Sequence, residues 1–283
     1  MKIFTIVLVS LISKLFTTGQ VIEGIVSESG TNKPIEYAGV GVIGTPCGTI
    51  TDMHGNFSFD CNGISDSSTI RISMIGYEGK TYRLYEFLDQ YNLVELNKKS
   101  IKIQQVTIKP ATKKIIGAVG FSRLQGWSGW GGLHVRKGYE IGLKMDLGKN
   151  PVLIKDLNIL LERQAFDTSL YRLHIRRMDG AEIQNELLHE NILITLTNES
   201  GWSKIDLEKY NLVLQGEIAL TLEWLKVKGL NKEREMKING HLQDAYILFK
   251  NKKGHIGIFR RGTEAWWQFN QKSGPSMYVT VFE

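Results

Sequence analysis

The chain has 283 residues, 42% of them hydrophobic and 23% charged, with a net charge of +6. That length accommodates one large domain or two ordinary ones, and the composition excludes an intrinsically disordered chain. Five prolines and no low-complexity run leave room for little linker.

Lys2 followed by the apolar run Ile3–Ile12 predicts a signal peptide over residues 1–19, with Thr17-Thr18-Gly19 as small residues for cleavage. The alternative is a first buried strand. The run is too short for a membrane span, and Lys14 interrupts it. No later segment is long and apolar enough to span a membrane, so a mature chain without a transmembrane segment is expected, exported to the periplasm or cell surface. Loss of Lys2 and Lys14 with the leader lowers the net charge from +6 to +4. The basic residues form no single stripe. The densest patches, Lys228–Lys237 and Lys250–His255, read as solvated hairpin ends, and no nucleic-acid partner is expected.

Val21–Ser27 alternates, Tyr37–Ile43 is rich in β-branched and small residues, and Thr69–Ile75 alternates again. Gly, Pro, Asn and Asp clusters separate these runs at the spacing of a sandwich. Tyr82–Asn92 holds the only plausible helical turn of this half. Between the second and third runs lies GTITDMHGNFSFDC, Gly48–Cys61. A type I turn over Asp52–Gly55, with Gly55 left-handed, sets Asp52 opposite Asn56. The same register sets Thr51 opposite Phe57, Thr49 opposite Phe59 and Cys47 opposite Cys61. Opposed cysteines lie within disulfide reach, so a cross-strand Cys47–Cys61 bond is predicted; the alternative is two reduced, buried side chains. The Asp52 carboxylate caps the turn's backbone N–H groups. Met53 and Gly55 do not supply the oxygen ligands that a calcium loop needs, so Asp52 and Gly55 read as a structural turn.

Several of these elements together resemble the carboxypeptidase regulatory-like domain common in Bacteroidetes envelope proteins. They are Gly24-x-Val26, Lys33-Pro34-Ile35 before Ala38-x-Val40-x-Val42, Thr51-Asp52-x-x-Gly55-x-Phe57, Ile72-Ser73-x-Ile75-Gly76-Tyr77 and the closing Gln105-Val106-Thr107-Ile108. The resemblance covers roughly residues 21–109. It implies a seven-stranded, transthyretin-like β-sandwich that acts as an accessory module without catalytic residues of its own. The cysteine pair is not part of that pattern.

Residues 110–118, opening with Pro110 and holding Lys113-Lys114, are expected to link domains of residues 20–109 and 119–283. Gly126–Gly138, with five glycines and Trp127 and Trp130, reads as a loop. Strands are predicted over Tyr139–Leu147, Leu153–Glu162, Ser169–Met178 and Ile192–Thr197, with further strands to the C-terminus. In Ser169–Met178, Tyr171, Leu173 and Ile175 alternate with Arg172, His174 and Arg176, which predicts one buried and one wet face. The whole chain is expected to be all-β, its second half a two-sheet jelly-roll-like sandwich. That half also looks like an uncharacterised region that follows the same module in short envelope proteins, which assigns a setting and no activity.

No histidine spacing suggests a metal site, and no cofactor is implied. No Gly-x-Ser-x-Gly elbow appears, and nothing in the sequence brings Glu140, Asp206 and Glu223 together. An enzyme is therefore not expected. The six tryptophans all lie in the second half. Trp224 and Trp202 read as core. Trp127, Trp130 and one of Trp266 and Trp267, which would face opposite ways along a strand, are the candidates for stacking on sugar rings. The expected role is binding or assembly at the envelope, with an envelope protein or a glycan as partner. The alternatives are a carbohydrate-binding module and a hydrolase with an unrecognised site.

Overall fold

A computed structural model describes residues 21–99, 112–131, 137–197, 199–231, 234, 236–238, 241–243 and 245–283. The signal-peptide segment lies outside the described residues, as does the closing Gln105–Ile108. Among the described residues the regular structure is β-strand and short 3₁₀ turns. No helix among them is long and apolar enough to cross a membrane.

The first sandwich contains β1 (Val21–Glu28), β2 (Gly39–Val42), β3 (Gly48–Ile50), β4 (Asn56–Asp60), β5 (Thr69–Ser73), β6 (Lys80–Arg83) and β7 (Tyr91–Leu96). They form a three-stranded sheet ordered β4-β1-β7 and a four-stranded sheet ordered β3-β2-β5-β6. Alternation places Ile22 and Val26 inward from one sheet, and Val40, Val42, Ile70 and Ile72 inward from the other. The expected helical turn is a single 3₁₀ turn, Leu84–Phe87, which buries both of its terminal side chains.

The Asp52–Gly55 turn forms as the sequence predicts. The Gly55 N–H donates to the Asp52 carbonyl at 3.0 Å, and Gly55 has φ +78°. The Asp52 carboxylate accepts from the N–H groups of His54 and Asn56 at 2.8 and 2.9 Å. The predicted ladder does not continue beyond it. β3 hydrogen-bonds β2, and β4 hydrogen-bonds β1, so the chain turns a corner from one sheet to the other. The Cys47–Cys61 disulfide is present, with the Cα atoms 5.7 Å apart, and it ties the two sheets at this corner.

The second sandwich begins earlier than expected: Lys113–Gly117, placed in the linker by the sequence, is strand β8. The chain continues through β9 (Trp127–Gly131), β10 (Tyr139–Asp146), β11 (Val152–Gln164), β12 (Phe166–Asp179), β13 (Glu182–Glu186), β14 (Leu193–Leu196), β15 (Gly201–Asp206), β16 (Val213–Leu214) and β17 (Glu217–Leu230). It ends with β18 (Met236–Ile238), β19 (His241–Gln243), β20 (Tyr246–Lys253), β21 (Gly257–Arg261), β22 (Gln268–Asn270), β23 (Ser273–Pro275) and β24 (Met277–Phe282). One sheet runs β13-β12-β17-β10-β21-β22 and the other β23-β20-β11-β24-β8. The chain crosses repeatedly between them, as in a jelly-roll-like sandwich. The core between them includes Leu143, Leu157, Tyr171, Leu173, Leu220, Leu222, Phe249 and Val279.

The two sandwiches pack against each other through β2. Val40 and Val42 face the first core, and Gly39 and Gly41, which alternate with them, face Thr263 of the second sandwich. A Cβ on Gly41 would lie 2.5 Å from Thr263 Oγ1, so only glycine permits this approach. Thr263 Oγ1 donates to the Val40 carbonyl at 3.3 Å, and the Gly44 N–H donates to the Glu264 carbonyl at 2.8 Å. Ile75, from the first sandwich, joins the core cluster of the second.

Candidate functional site

The outer face of the β12–β17–β10 sheet is not wet. Arg172, His174 and Arg176 point away from the second core, as alternation requires, but they are 3%, 6% and 9% exposed. The first sandwich covers this face. Ladder register brings their partners to them: Glu140 pairs with Glu223 across β10 and β17, and Arg172 pairs with Glu223 across β12 and β17.

Every buried charge here has an opposite neighbour. Arg172 Nε donates to Glu223 Oε2 at 2.7 Å, and its Nη2 makes a shorter contact with the same oxygen. Arg172 Nη1 reaches into the first sandwich and donates to the Tyr37 carbonyl at 2.8 Å. Arg176 grips Glu140 with two hydrogen bonds, at 2.7 and 3.1 Å. Arg260 Nε and the Thr221 hydroxyl donate to Glu140 as well, at 2.9 and 2.6 Å. The ring nitrogens of His174 lie 2.6 Å from Glu186 and 3.0 Å from Glu223. Arg176 Nη2 approaches the Glu186-facing nitrogen at 2.8 Å, so that edge is shared between a carboxylate and a guanidinium. Trp267 lies over this group, its ring 4.6 Å from Arg260 and 5.1 Å from Arg176.

The electrostatics follow from these contacts. Burial alone would raise Glu140 and Glu223. Arg176 and Arg260 outweigh it at Glu140, which is held well below the carboxylate range. Arg172 and His174 outweigh it at Glu223 and bring its carboxyl down to about 2. Burial likewise opposes ionisation of Glu186, and His174 overcomes it. Glu140, His174 and Glu223 present ligand atoms within 4.8 Å of one another. Those atoms already serve guanidinium and imidazole groups, so a divalent cation there would displace bonds from three arginines.

Between this ionic wall and the first sandwich is a cavity of about 490 Å³. Ser73, Arg71 and Lys99 line it from the first sandwich, and Gln184, Asn185 and Trp266 from the second. Its size is that of an ordinary ligand pocket.

The sequence-derived candidates divide. Trp266 and Trp267 do not lie in a strand, because β22 starts at Gln268. They sit in the connection after β21, where Trp266 is 74% exposed at the cavity and Trp267 is half-buried over the arginines. Trp127 and Trp130 are not in a loop: they belong to β9, which pairs with β20. Trp130 is buried in the core, stacked on Trp224 at 5.8 Å and Tyr171 at 6.2 Å, so its ring is closed to a ligand. Trp127 is partly exposed at the edge of the second sandwich, away from the cavity. Trp202, expected in the core, is 44% exposed on the outer face of the opposite sheet, 5.2 Å from Tyr278. Cys47, Cys61, Asp52 and Gly55 are structural, as described. His174, Glu140 and Glu223 converge where the sequence showed no convergence; Asp206 lies apart, opposite Asp156 on β11. The available signal was Arg-x-His-x-Arg on one strand with Glu140 and Glu223 on others, which lacks register until the strands pair.

No curated protein matches the chain. Residues 22–108 match the family model described as CarboxypepD_reg-like domain, and the seven strands described within that span form its sandwich, so the first part of the chain is a carboxypeptidase regulatory-like domain.

Proposed function

We propose that the chain is a non-enzymatic binding protein exported to the cell envelope, and that the cavity between its sandwiches takes the ligand. The observation that carries this reading is the cavity itself: both sandwiches wall it, its buried ionic side is internally matched, and an exposed tryptophan stands at its edge. A general acid or base needs a pKa near the working pH. Glu140 and Glu223 are held far below neutrality by arginines, which leaves them suited to architecture and not to proton exchange. A disulfide and a charged N-terminal leader pattern support an oxidising compartment outside the cytoplasm.

Binding of the protein to a panel of bacterial and plant polysaccharides, beside Trp266→Ala, tests the reading. Trp266 is exposed, so its truncation leaves folding intact. Binding that the variant loses places the ligand at the cavity. Binding that survives Trp266→Ala and disappears in Trp127→Ala moves the site to the edge of the second sandwich. No binding across the panel removes the glycan as partner and leaves an envelope protein, to be sought by pull-down.

A further inference from the structure

The charges around the cavity fall into two groups. On the wall of the second sandwich, Arg172, Arg176 and Arg260 face Glu140, Glu186 and Glu223, and each carboxylate is engaged. That wall is matched. The rim contributed by the first sandwich is not. Arg71 enters the cavity with a side chain 49% exposed, and its carboxylate neighbour, Glu264, is 3.9 Å away, too far for a hydrogen bond. Lys99 lines the same cavity, and no carboxylate among the described residues pairs with it. Burial raises the Glu264 carboxyl against the pull of Arg260 and Arg71, which weakens it as a counter-charge.

This rim suits one kind of ligand. Two loosely held cations meet a single negative charge well, while the charges of the wall arginines already answer Glu140, Glu186 and Glu223. The Gln184 and Asn185 amides offer donors and acceptors to hydroxyl groups. Trp266 offers a flat apolar face. We propose that the cavity binds an acidic saccharide, its carboxylate met by Arg71 and Lys99 and a sugar ring laid on Trp266. The proposal rests on the reading of the cavity as the ligand site.

Calorimetric titration of the full chain tests it, with trisaccharides containing galacturonate, mannuronate or glucuronate. Each acid is run beside its methyl ester, which keeps the ring and removes the charge. At least one acid is expected to bind about tenfold or more tightly than its ester, a gap equivalent to one good charge-assisted contact. Its affinity falls with added salt. Arg71→Gln and Lys99→Gln each weaken the acid and leave the ester unchanged, while Trp266→Ala weakens both. All three positions are exposed, and a melting curve for each variant checks that it folds.

Equal binding of acid and ester, lost in Trp266→Ala, overturns the charge assignment and leaves the cavity reading intact. Acetate or inorganic phosphate binding as tightly as the trisaccharide overturns the saccharide and reduces the rim to an anion site. Absence of binding by every acid and every ester overturns the proposal, and the polysaccharide panel then decides whether the glycan reading beneath it falls as well.

Discussion

The second sandwich has two outer faces built on the same alternation, and they are covered in different ways. On β12 the outward residues are Arg172, His174 and Arg176; on β11 they are Asp156, Asn158 and Leu160. The first set lies under the other sandwich, almost without exposure. The second is just as closed, at 3%, 7% and 8%, but what covers it is a single row of side chains that meets water, with Trp202 44% and Ile115 52% exposed and the Lys204 side chain 65% exposed. Alternation marks a face as turned away from one core. It does not say whether that face meets solvent or a second domain. What separates the two is charge matching. The covered face gathers three carboxylates and three guanidinium groups with complementary register, because an unmatched buried charge would be expelled. On the open face Asp156 is met by Lys204 at 3.2 Å and by the Asn158 amide at 2.6 Å, and the lysine runs on into water.

The comparison breaks most visibly at Arg172. Arg172→Ala would leave Glu223 buried with His174 alone and remove the bond to the Tyr37 carbonyl. Truncating one partner of a buried pair destabilises by about 3–5 kcal/mol. Lys204→Ala, on the open face, should cost less, because the exposed lysine is lost while Asp156 keeps the Asn158 amide. Urea unfolding of the two variants measures both. Similar losses would mean that the covered face is not the energetic interface described here.

Acid sharpens the same contrast. Glu223 is held at about 2 against an ordinary value of 4.5. A depressed carboxyl stabilises the fold fully above its unfolded value and loses that contribution as pH falls through its folded value. The contribution of Glu223 is therefore expected to be constant above pH 4.5 and to be lost from there toward pH 2. Glu140, displaced in the same direction, adds to the decline. In Arg172→Ala the slope should flatten, because Glu223 loses its first opposing charge. A wild-type profile without any loss between those limits would contradict the burial of paired carboxylates.

The disulfide acts on the first sandwich alone. Cys47 and Cys61 are 14 positions apart, and opening a loop of that size releases about 2–4 kcal/mol of constraint in the unfolded chain. Cys47→Ala/Cys61→Ala should lower the unfolding midpoint of that sandwich and make it insensitive to reductant. A wild-type midpoint unmoved by reductant would show that the staple contributes nothing.

These outcomes bear on how much the sequence disclosed. The Asp52–Gly55 turn was legible because its chemistry is local: an Asp side chain, two N–H groups and a glycine with positive φ. The cysteine pairing was legible for a reason only half right. Residues near the turn are indeed opposed, but the strands then part into different sheets, and the bond joins the sheets of a sandwich instead of rungs of one ladder. The strands of the second sandwich were legible from alternation. The ionic wall was not. Glu140, Arg172, Glu223 and Arg260 are scattered along four strands, and only the pairing of those strands sets them in contact. Trp130 misled because a glycine-rich setting suggests a loop. The Gly129 Cβ position falls 2.0 Å from the Ile247 carbonyl oxygen, so the glycine is there to let β9 lie close on β20.

The finest comparison uses one tryptophan from each face. Trp267 covers Arg176 and Arg260 on the hidden face, and Trp202 touches Tyr278 on the open one. Truncation of either removes an aromatic contact of similar size, about 1–2 kcal/mol for the desolvated cation–π pair and about 1 kcal/mol for the edge-on ring contact. Stability at neutral pH alone would scarcely separate Trp267→Ala from Trp202→Ala. Acid separates them. Removing Trp267 admits water to the two guanidinium groups that hold Glu140, which weakens their pull on the carboxylate. The carboxyl then rises toward its ordinary value, and the stability it contributed above that value shrinks. Trp267→Ala should therefore show a shallower decline between pH 4.5 and 2 than the wild type, whereas Trp202→Ala should run parallel to the wild type throughout. Parallel profiles for both variants would mean that the tryptophan lid is mere packing, and that water already reaches the arginines beneath it.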